Sequence, residues 1–586
     1  MIDILFINTT EKKEIRNETN GTLLLATKLL NAGFKTDILR FYQVDSFLKD
    51  YYTFINDITN RIISLNPKCV SFYTLWSYYH ILLRIAKELK QINPEITIVF
   101  GGPQASATAY ETMKYMRYID FICTGEGENT VVPFFETLLN SNASDFSKIP
   151  GLYYRESDNI KFNHIEIPIS DLNTLPHWDD RLYLGNYNNL ESEITSNTYF
   201  MPIDAGRGCP YSCTFCCTSN FWRRTYRLKS PERIVEDIEY YKKKFGITSF
   251  WFSHDAFTSN KKLVSDVCDY IIKKGLNITW RCTARIDCIS EDLILKMKQA
   301  GMTQIELGIE SGSKRMQKTI NKNLNLEKSN KMIEFLLKSN IQVGLFFMYG
   351  FPEETEDDLS ETLKMYFDIL DTGVSHASMS FCRFNPSTEI TNKYLNDLVL
   401  DKNVRVLYRG IYGYDEEYKI ISENRKIFSH FYHLNTTVRN NYQYLYFLGA
   451  LYQMFPNSIK YLRKLYKGDN IKFYKDFYNN NTDIFEHEML NIGKYIKANS
   501  LQIFYNTIKD FNEPYVKKIK ELMRYDYNLQ KVSHSKEDIE IKDKYNFSYI
   551  ELKMNLPIEQ FSNMKTEILL ENKNGNFNMR ILSIEK

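Results

Sequence analysis

The chain has 586 residues, too many for one compact core, and its length predicts three or four domains. Hydrophobic residues at 43% and charged residues at 25% exclude a disordered chain. A net charge of +2 argues against the strongly basic surface that nucleic-acid binding requires, so a small or buried ligand fits better. No apolar run reaches the roughly 18–20 residues of a membrane span. The nearest, Tyr444 to Phe455, includes Gln453, is stopped by Pro456 and predicts a buried helix. The stretch from Met1 to Ile7 carries no positive leader and no small-residue cleavage site, so a cytoplasmic protein is expected. Ten cysteines are present, and four crowd between Cys209 and Cys217. Without an export signal, that grouping points to metal rather than disulfides.

Residues 1–140 alternate strand and helix signals. Strands are expected at Ile2–Asn8, Lys35–Phe41, Cys69–Tyr73, Ile96–Phe100 and Phe121–Cys123, with apolar helical stretches between them. This repetition predicts a doubly wound, Rossmann-like parallel sheet whose ligand sits outside the strands' carboxyl ends. Three loops lie there: Thr74-Leu75-Trp76, Gly101-Gly102-Pro103-Gln104 and Gly125-Glu126-Gly127-Glu128. Their glycines either admit a ligand close to backbone or only make tight turns. No G-x-G-x-x-G follows the first strand, which disfavours a nicotinamide or flavin dinucleotide.

Residues 141–195 loosen into a polar linker or small β-rich insert. From 196 to 395 a second alternation begins, with strands near 200–205, 248–253, 278–283, 304–309, 342–348 and 376–382. Six β/α units predict a partial (β/α)6 TIM-type barrel with its chemistry at the strands' carboxyl ends. Residues 396–586 are rich in Tyr, Phe and Lys and predict a mainly helical domain that could cover a substrate. A strand pair is expected at Tyr549–Met554 and Thr566–Leu570. Tyr442, Tyr444, Tyr446 and Tyr452 read as a core stripe.

After the first barrel strand the chain reads Gly206-Arg207-Gly208-Cys209-Pro210-Tyr211-Ser212-Cys213-Thr214-Phe215-Cys216-Cys217, a C-x3-C-x2-C spacing. Three thiolates on a short loop suit a cubane iron–sulfur cluster and leave one iron open for a small chelating ligand. The alternatives are a zinc site, which normally takes four protein ligands, and buried structural cysteines. Cys217 lies outside the spacing and reads as packing, since a fourth thiolate would block the open iron.

This motif, a barrel behind a nucleotide-type domain, resembles the cobalamin-binding (B12) subfamily of radical S-adenosylmethionine (SAM) enzymes. The likeness covers about residues 1–395. It extends to Leu172-Asn173-Thr174-Leu175-Pro176 with Asp180-Arg181, and to Arg227-Leu228-Lys229-Ser230 after the cysteine loop. Further matches are Gly308-Ile309-Glu310-Ser311-Gly312-Ser313, Gly350-Phe351-Pro352-Glu353-Glu354-Thr355 and Asn385-Pro386-Ser387-Thr388.

The resemblance implies that Cys209, Cys213 and Cys216 ligate a [4Fe–4S] cluster whose fourth iron SAM chelates. Phe215, Ser253, Asp255, Glu310 and Ser311 would contact SAM. Cobalamin would lie against Thr74, Leu75 and Trp76, against Gly101, Gly102 and Pro103, and against Gly125, Glu126, Gly127 and Glu128. There is no D-x-H-x-x-G, so the resemblance implies cobalt without a histidine beneath it; Trp76 either lines that lower face or belongs to the core. His254 could be a base or a buried, hydrogen-bonded histidine. Arg223, Arg224, Arg227 and Lys229 could meet an acidic substrate, a redox partner or solvent.

The implied reaction is hydrogen abstraction by a 5′-deoxyadenosyl radical followed by methyl transfer from methylcobalamin to an unactivated carbon. Its alternative keeps both cofactors and performs a cyclisation or rearrangement without methylation. A non-catalytic iron–sulfur or corrinoid carrier is disfavoured by the SAM-type pattern at Gly308 to Ser313. A small-molecule or peptide substrate and an electron donor such as flavodoxin or ferredoxin are implied. No residue is assigned as catalytic by sequence alone.

Overall fold

The computed structural model describes residues 2–10, 20–42, 51–140, 145–164, 168–184, 200–374, 376–401, 415–482, 502–503, 505–508, 511, 515–533, 539–545, 552, 565–573 and 576–585. The chain forms two compact units, one from residues 1–308, 318–343 and 382–435, the other from 309–317, 344–381 and 436–586.

The first unit begins with a seven-stranded sheet. Its strands are β1 (Ile2–Thr10), β2 (Thr36–Tyr42), β3 (Pro67–Tyr73), β4 (Thr97–Gly101), β5 (Phe121–Cys123), β6 (Leu152–Glu156) and β7 (Asn159–Phe162), in the order β2-β1-β3-β4-β5-β6-β7. β1 to β5 run parallel and β6 and β7 antiparallel. The 2-1-3-4-5 order is doubly wound, and it opens a crevice at the carboxyl edge where the order reverses. In β1, Ile4, Leu5, Phe6 and Ile7 are all buried, because a central parallel strand is covered on both faces. The β6–β7 hairpin, within the segment read as a linker or β-rich insert, extends this sheet.

Four parallel strands follow: β8 (Met201–Asp204), β11 (Ser249–Ser253), β12 (Thr279–Ala284) and β13 (Met302–Glu310), with β11 beside β8 and β12 between β11 and β13. Between β8 and β11 lies a two-stranded ribbon, β9 (Gly206–Gly208) and β10 (Tyr226–Leu228). Side chains alternate along the parallel strands. Phe250, Phe252, Trp280, Cys282, Ile305 and Leu307 are buried, whereas Trp251, Arg281 and Glu306 on the alternate positions are half-buried. Arg281 Nη1 donates to Glu306 Oε1 at 3.1 Å and its guanidinium lies 5.1 Å from the Trp251 ring.

Two short antiparallel strands, β16 (Val399–Leu400) and β17 (Tyr432–His433), belong to this unit, and residues beside β17 pack on the N-terminal domain. Gln104 Nε2 donates to the Ile427 carbonyl at 2.7 Å, and Phe428 and Phe431 meet the rings of Tyr79 and His80.

The second unit carries the fifth and sixth strands, β14 (Gln342–Tyr349) and β15 (His376–Phe381), which pair in parallel. Helix Glu356–Leu370 between them starts with a capping box: Thr355 accepts from the Asp358 N–H while Asp358 accepts from the Thr355 N–H. Tyr442 and Tyr452 are buried and donate to carboxylates at that helix's two ends, Glu356 at 2.5 Å and Asp371 at 2.6 Å. Helix Leu445–Met454 occupies the apolar stretch stopped by Pro456. The expected strand at 566–570 lies inside β19 (Lys565–Lys573), which pairs with β18 (Ile539–Tyr545) and β20 (Asn576–Glu585). Its expected partner at 549–554 falls, apart from Leu552, outside the described residues. No helix among the described residues is long and apolar enough to cross a membrane.

Candidate active site

The cysteine loop spans the space between β9 and β10 and is pinned by backbone from elsewhere in the first unit. Thr214 N–H donates to the Ile320 carbonyl and Thr214 O accepts from Ile390 N–H, both at 3.1 Å. Asn321 Nδ2 reaches Ser212 O at 3.0 Å, and Cys216 N–H turns back to Cys213 O at 3.1 Å. Cys209, Cys213, Cys216 and Cys217 are free thiols, all half-buried. Burial pushes the Cys209 thiol up to about 11, and charge on Cys216, Asp255 and Cys213 pushes the same way. The Arg285 guanidinium lies 3.8 Å from Cys213 Sγ and 3.8 Å from the centre of the Tyr211 ring. Cys217 is pushed up to about 12 by burial and by Cys216 beside it. Phe215 is half-buried within the same loop.

At the carboxyl edge of the N-terminal sheet, the three expected loops lie side by side. Thr74 is fully buried, and its hydroxyl donates to Gly101 O at 2.8 Å while accepting from Ala105 N–H at 2.9 Å. Gly102 has φ +95° and ψ −179°, a conformation open essentially only to glycine. A Cβ there would stand 2.9 Å from Thr74 O. This glycine is therefore explained by close packing of two loops. Gly101, by contrast, has room: its Cβ would meet only Cys123 O at 3.6 Å. Pro103 opens helix Pro103–Tyr115. Leu75 and Trp76 are half-buried, and the buried His430 ring lies close to the Trp76 backbone. Burial pushes that imidazole down to about 3, with Arg383 and His80 adding to the effect.

The loop after β5 has a different fate. Glu128 Oε1 accepts from Arg207 Nη2 at 2.5 Å. Glu126 accepts from Arg227 through both oxygens, Oε2 at 3.1 Å, and its Oε2 also accepts from Ile169 N–H at 3.0 Å. Asp204 lies 3.5 Å from Arg207. All these side chains are largely buried. Gly127 has its own reason, because a Cβ would press on Leu25 at 3.1 Å. Gly125 lines a solvent-open cleft of about 420 Å³ with Thr124, Glu126, Ile169, Trp222 and Arg223. Arg207 and Arg227 carry this arrangement; sequence alone assigned no role to Arg207 and offered Arg227 an acidic substrate, a redox partner or solvent rather than these glutamates. The signal was present in the flanking glycines of Gly206-Arg207-Gly208, which permit a ribbon too tight for a Cβ. The Cβ of Gly208 would stand 2.0 Å from Thr225 O.

Ser253 ends β11 in register with Asp204. The Asp255 carboxylate is solvent-facing but ringed by protein; burial raises its pKa, while the Trp222 and Thr218 side chains donate to it and oppose the rise. His254 Nδ1 accepts from Ala256 N–H at 2.8 Å. Burial pushes its imidazole down to about 4, so it is neutral at pH 7 and reads as the buried, hydrogen-bonded alternative. Lys229 pairs with buried Asp237 at 2.8 Å, whereas Arg223 and Arg224 are exposed in left-handed backbone at φ +53° and +56°.

In the second unit, Glu310 is buried at φ +68°, a strained conformation for a non-glycine residue at a strand end and a mark of functional positions. Ser311 is fully buried, with its hydroxyl 3.0 Å from Thr362 Oγ1 and accepting from Ser313 N–H at 3.2 Å. Gly312 has no space for a Cβ, which would lie 2.8 Å from Glu361 O. Gly350 N–H donates to Glu354 Oε2, and burial pushes that glutamic acid up to about 8.

The residues present fit the implied groups. Cys213 and Cys216 beside it oppose ionisation of the half-buried Cys209 thiol, and a cationic iron–sulfur core removes that opposition. Among the described residues no three His, Cys, Asp or Glu side chains are grouped tightly enough for a single metal ion. Zinc normally takes four protein ligands, whereas a cubane takes one thiolate per iron and leaves its fourth iron open on a three-cysteine loop. For cobalamin, Gln104 Oε1 is an acceptor, fully buried and unpartnered, at the carboxyl edge of β4.

Residues 203–366 match the Radical SAM superfamily, and residues 16–134 match the B12 binding domain. The chain is 28% identical over 359 residues to an uncharacterised methyltransferase of Pyrococcus horikoshii, covering 60% of this chain and 74% of that protein. It is 26% identical over 349 residues to the anaerobic magnesium-protoporphyrin IX monomethyl ester cyclase of Rubrivivax gelatinosus, covering 58% of this chain and 60% of the cyclase. The fold resembles the cobalamin-dependent SAM radical enzyme OxsB, solved with aqua-cobalamin and SAM bound. That likeness has a TM-score of 0.55 and 14% identity, over 90% of this chain and 84% of that one. A B12 binding domain followed in one chain by a Radical SAM domain makes this a cobalamin-binding radical SAM enzyme, with SAM, cobalamin and an iron–sulfur cluster as its cofactors.

Proposed function

We propose that this enzyme closes or rearranges a ring or carbon skeleton in its substrate without leaving a methyl group on the product. Two observations support the reading. The Arg207 and Arg227 contacts to Glu126 and Glu128 join the cysteine ribbon to the loop after β5 within one unit, so both cofactor sites bear on one substrate. The likeness to a ring-forming enzyme, the cyclase of Rubrivivax gelatinosus, favours ring formation over the methyl transfer expected first.

In this reading Cys209, Cys213 and Cys216 hold the cluster. Phe215, Ser253 and Asp255 serve SAM within the first unit. Leu75 and Trp76 with Gly101, Gly102, Pro103, Gly125 and Gly127 form the bed for cobalamin, and Thr74 braces it from within. When bound, the cluster and SAM supply hydrogen-atom abstraction from an unactivated carbon, and cobalamin supplies one-electron or methyl exchange. The chain's own residues set the stage for that. Asp255 keeps acceptor oxygens at the end of β11, held by Trp222 and Thr218. His254, neutral at pH 7, adds no competing cation beside it. An electron donor of the flavodoxin or ferredoxin type, and a small-molecule or peptide substrate, complete the proposal.

Methyl transfer to carbon is the second reading, supported by likeness to the Pyrococcus horikoshii methyltransferase. Turnover with methyl-labelled SAM separates the two. Ring formation predicts 5′-deoxyadenosine with no S-adenosylhomocysteine and no label in the product; methylation predicts all three. Formation of S-adenosylhomocysteine with labelled product would overturn the first reading.

A further inference from the structure

The cysteine loop is closed at its foot by only three residue pairs, Gly208 with Tyr226, Arg207 with Arg227, and Gly206 with Leu228. In two of these pairs one partner is glycine, so cross-strand packing contributes little. The middle pair sets two guanidinium groups opposite each other, and like charges facing across a ribbon are destabilising. Arginine cannot relieve the repulsion by losing its proton. Compensation comes from the N-terminal domain: Glu128 Oε1 meets Arg207 Nη2 at 2.5 Å, and Glu126 meets Arg227 and, at 3.5 Å, Arg207 Nη1. Asp204, at 3.5 Å from Arg207, adds a third carboxylate from the ribbon's own side.

We propose that Glu126 and Glu128 are positioning residues for the iron–sulfur cluster, supplying the counter-charge that lets β9 and β10 pair and hold Cys209 in place. Their carboxylates act on the cluster ribbon and not on the corrin. The inference rests on the reading of this chain as a cluster- and cobalamin-binding enzyme. It also explains why a glutamate-bearing loop belongs at the edge of a cobalamin-type sheet: the domain that receives one cofactor completes the site of the other.

The test uses the full chain, reconstituted anaerobically with iron, sulfide and cobalamin. In Glu126→Gln/Glu128→Gln the shape is kept, one acceptor oxygen of each side chain becomes an NH2 donor, and the counter-charge is gone. A buried charge stripped of its partner is strongly destabilising, so iron and sulfide content should fall roughly tenfold while cobalamin affinity stays within about threefold. Adding Arg207→Met and Arg227→Met removes the repulsion too, and the cluster's absorbance and electron paramagnetic resonance signal should return. A structural loss unrelated to charge would not be rescued by deleting two arginines. Retention of a full cluster in the glutamine variant would overturn the proposal, as would parallel loss of cobalamin or failure of the methionine rescue. A parent chain that takes up no cluster at all would instead sink the underlying reading.

Discussion

The loops after β4 and β5 look alike in sequence, Gly101-Gly102-Pro103-Gln104 against Gly125-Glu126-Gly127-Glu128, yet they do opposite work. The first turns inward: Gly102 packs on the Thr74 backbone, and the loop leaves one buried acceptor, Gln104 Oε1, without a partner. The second turns outward and commits both carboxylates to arginines of the cysteine ribbon. Glycine at a strand end thus signals close approach, but the neighbouring side chains decide what approaches.

The fastened side of this comparison should break most completely at the cysteines. Replacing Cys209, Cys213 and Cys216 together by Ala should abolish the cluster and all 5′-deoxyadenosine, measured as iron content and product yield. Cys217→Ala should leave both intact, and a lost cluster there would refute the ligand assignment.

The same side buries His254, near Asp204 and the Arg227 backbone. Its imidazole sits at about 4 when folded against an ordinary 6.5, so the unfolded chain takes up the proton first as pH falls. Its contribution is complete above pH 6.5 and is lost as pH falls from there to about 4, amounting to at most about 3 kcal/mol. His254→Gln should flatten the stability profile across that window, read by urea unfolding at several pH values; an unchanged slope would contradict its buried, neutral state.

Adjacent glycines sharpen the inward side. Gly102→Ala should cost about 1–3 kcal/mol, for its backbone lies where only glycine is at ease. Gly101→Ala should cost no more than about 0.5 kcal/mol, since its site has room. Equal destabilisation of the two in thermal unfolding would contradict the packing described. Gln104→Leu should weaken cobalamin about tenfold, roughly 1.4 kcal/mol, without touching iron content. A titration followed by corrin absorbance measures this, and unchanged affinity would show that Oε1 meets no ligand. The smallest expectation is no effect: with no imidazole at Leu75 or Trp76, bound cob(II)alamin should show no nitrogen splitting from below. A nitrogen triplet would instead bring His430 forward.

Long apolar runs made the parallel strands legible: β1, buried on both faces, was readable from Ile2 through Asn8 and runs on to Thr10, and β5 ends where Phe121-Ile122-Cys123 ends. The cysteine spacing was equally plain, because its chemistry is local. What sequence did not reveal are contacts made only in three dimensions. β9 and β10 are three residues each, with no apolar periodicity, and Arg227 reads simply as part of a basic stretch. The pairing of β19 with β18 and β20 was likewise hidden, because its ladder joins segments of mixed polarity such as Ile539-Glu540-Ile541-Lys542. Nor did anything in Ile427-Phe428 announce that it packs on Gln104 and Tyr79.

If the loop after β5, fastened to the cysteine ribbon, brings cluster and cobalamin to one substrate, the two centres lie close enough to couple magnetically. The direct measurement is electron paramagnetic resonance of the holoenzyme with cob(II)alamin and the reduced cluster present together. A cob(II)alamin signal broadened by magnetic coupling to the reduced cluster, and sharp when the cluster is oxidised, is expected. Two independent, unperturbed signals would contradict it.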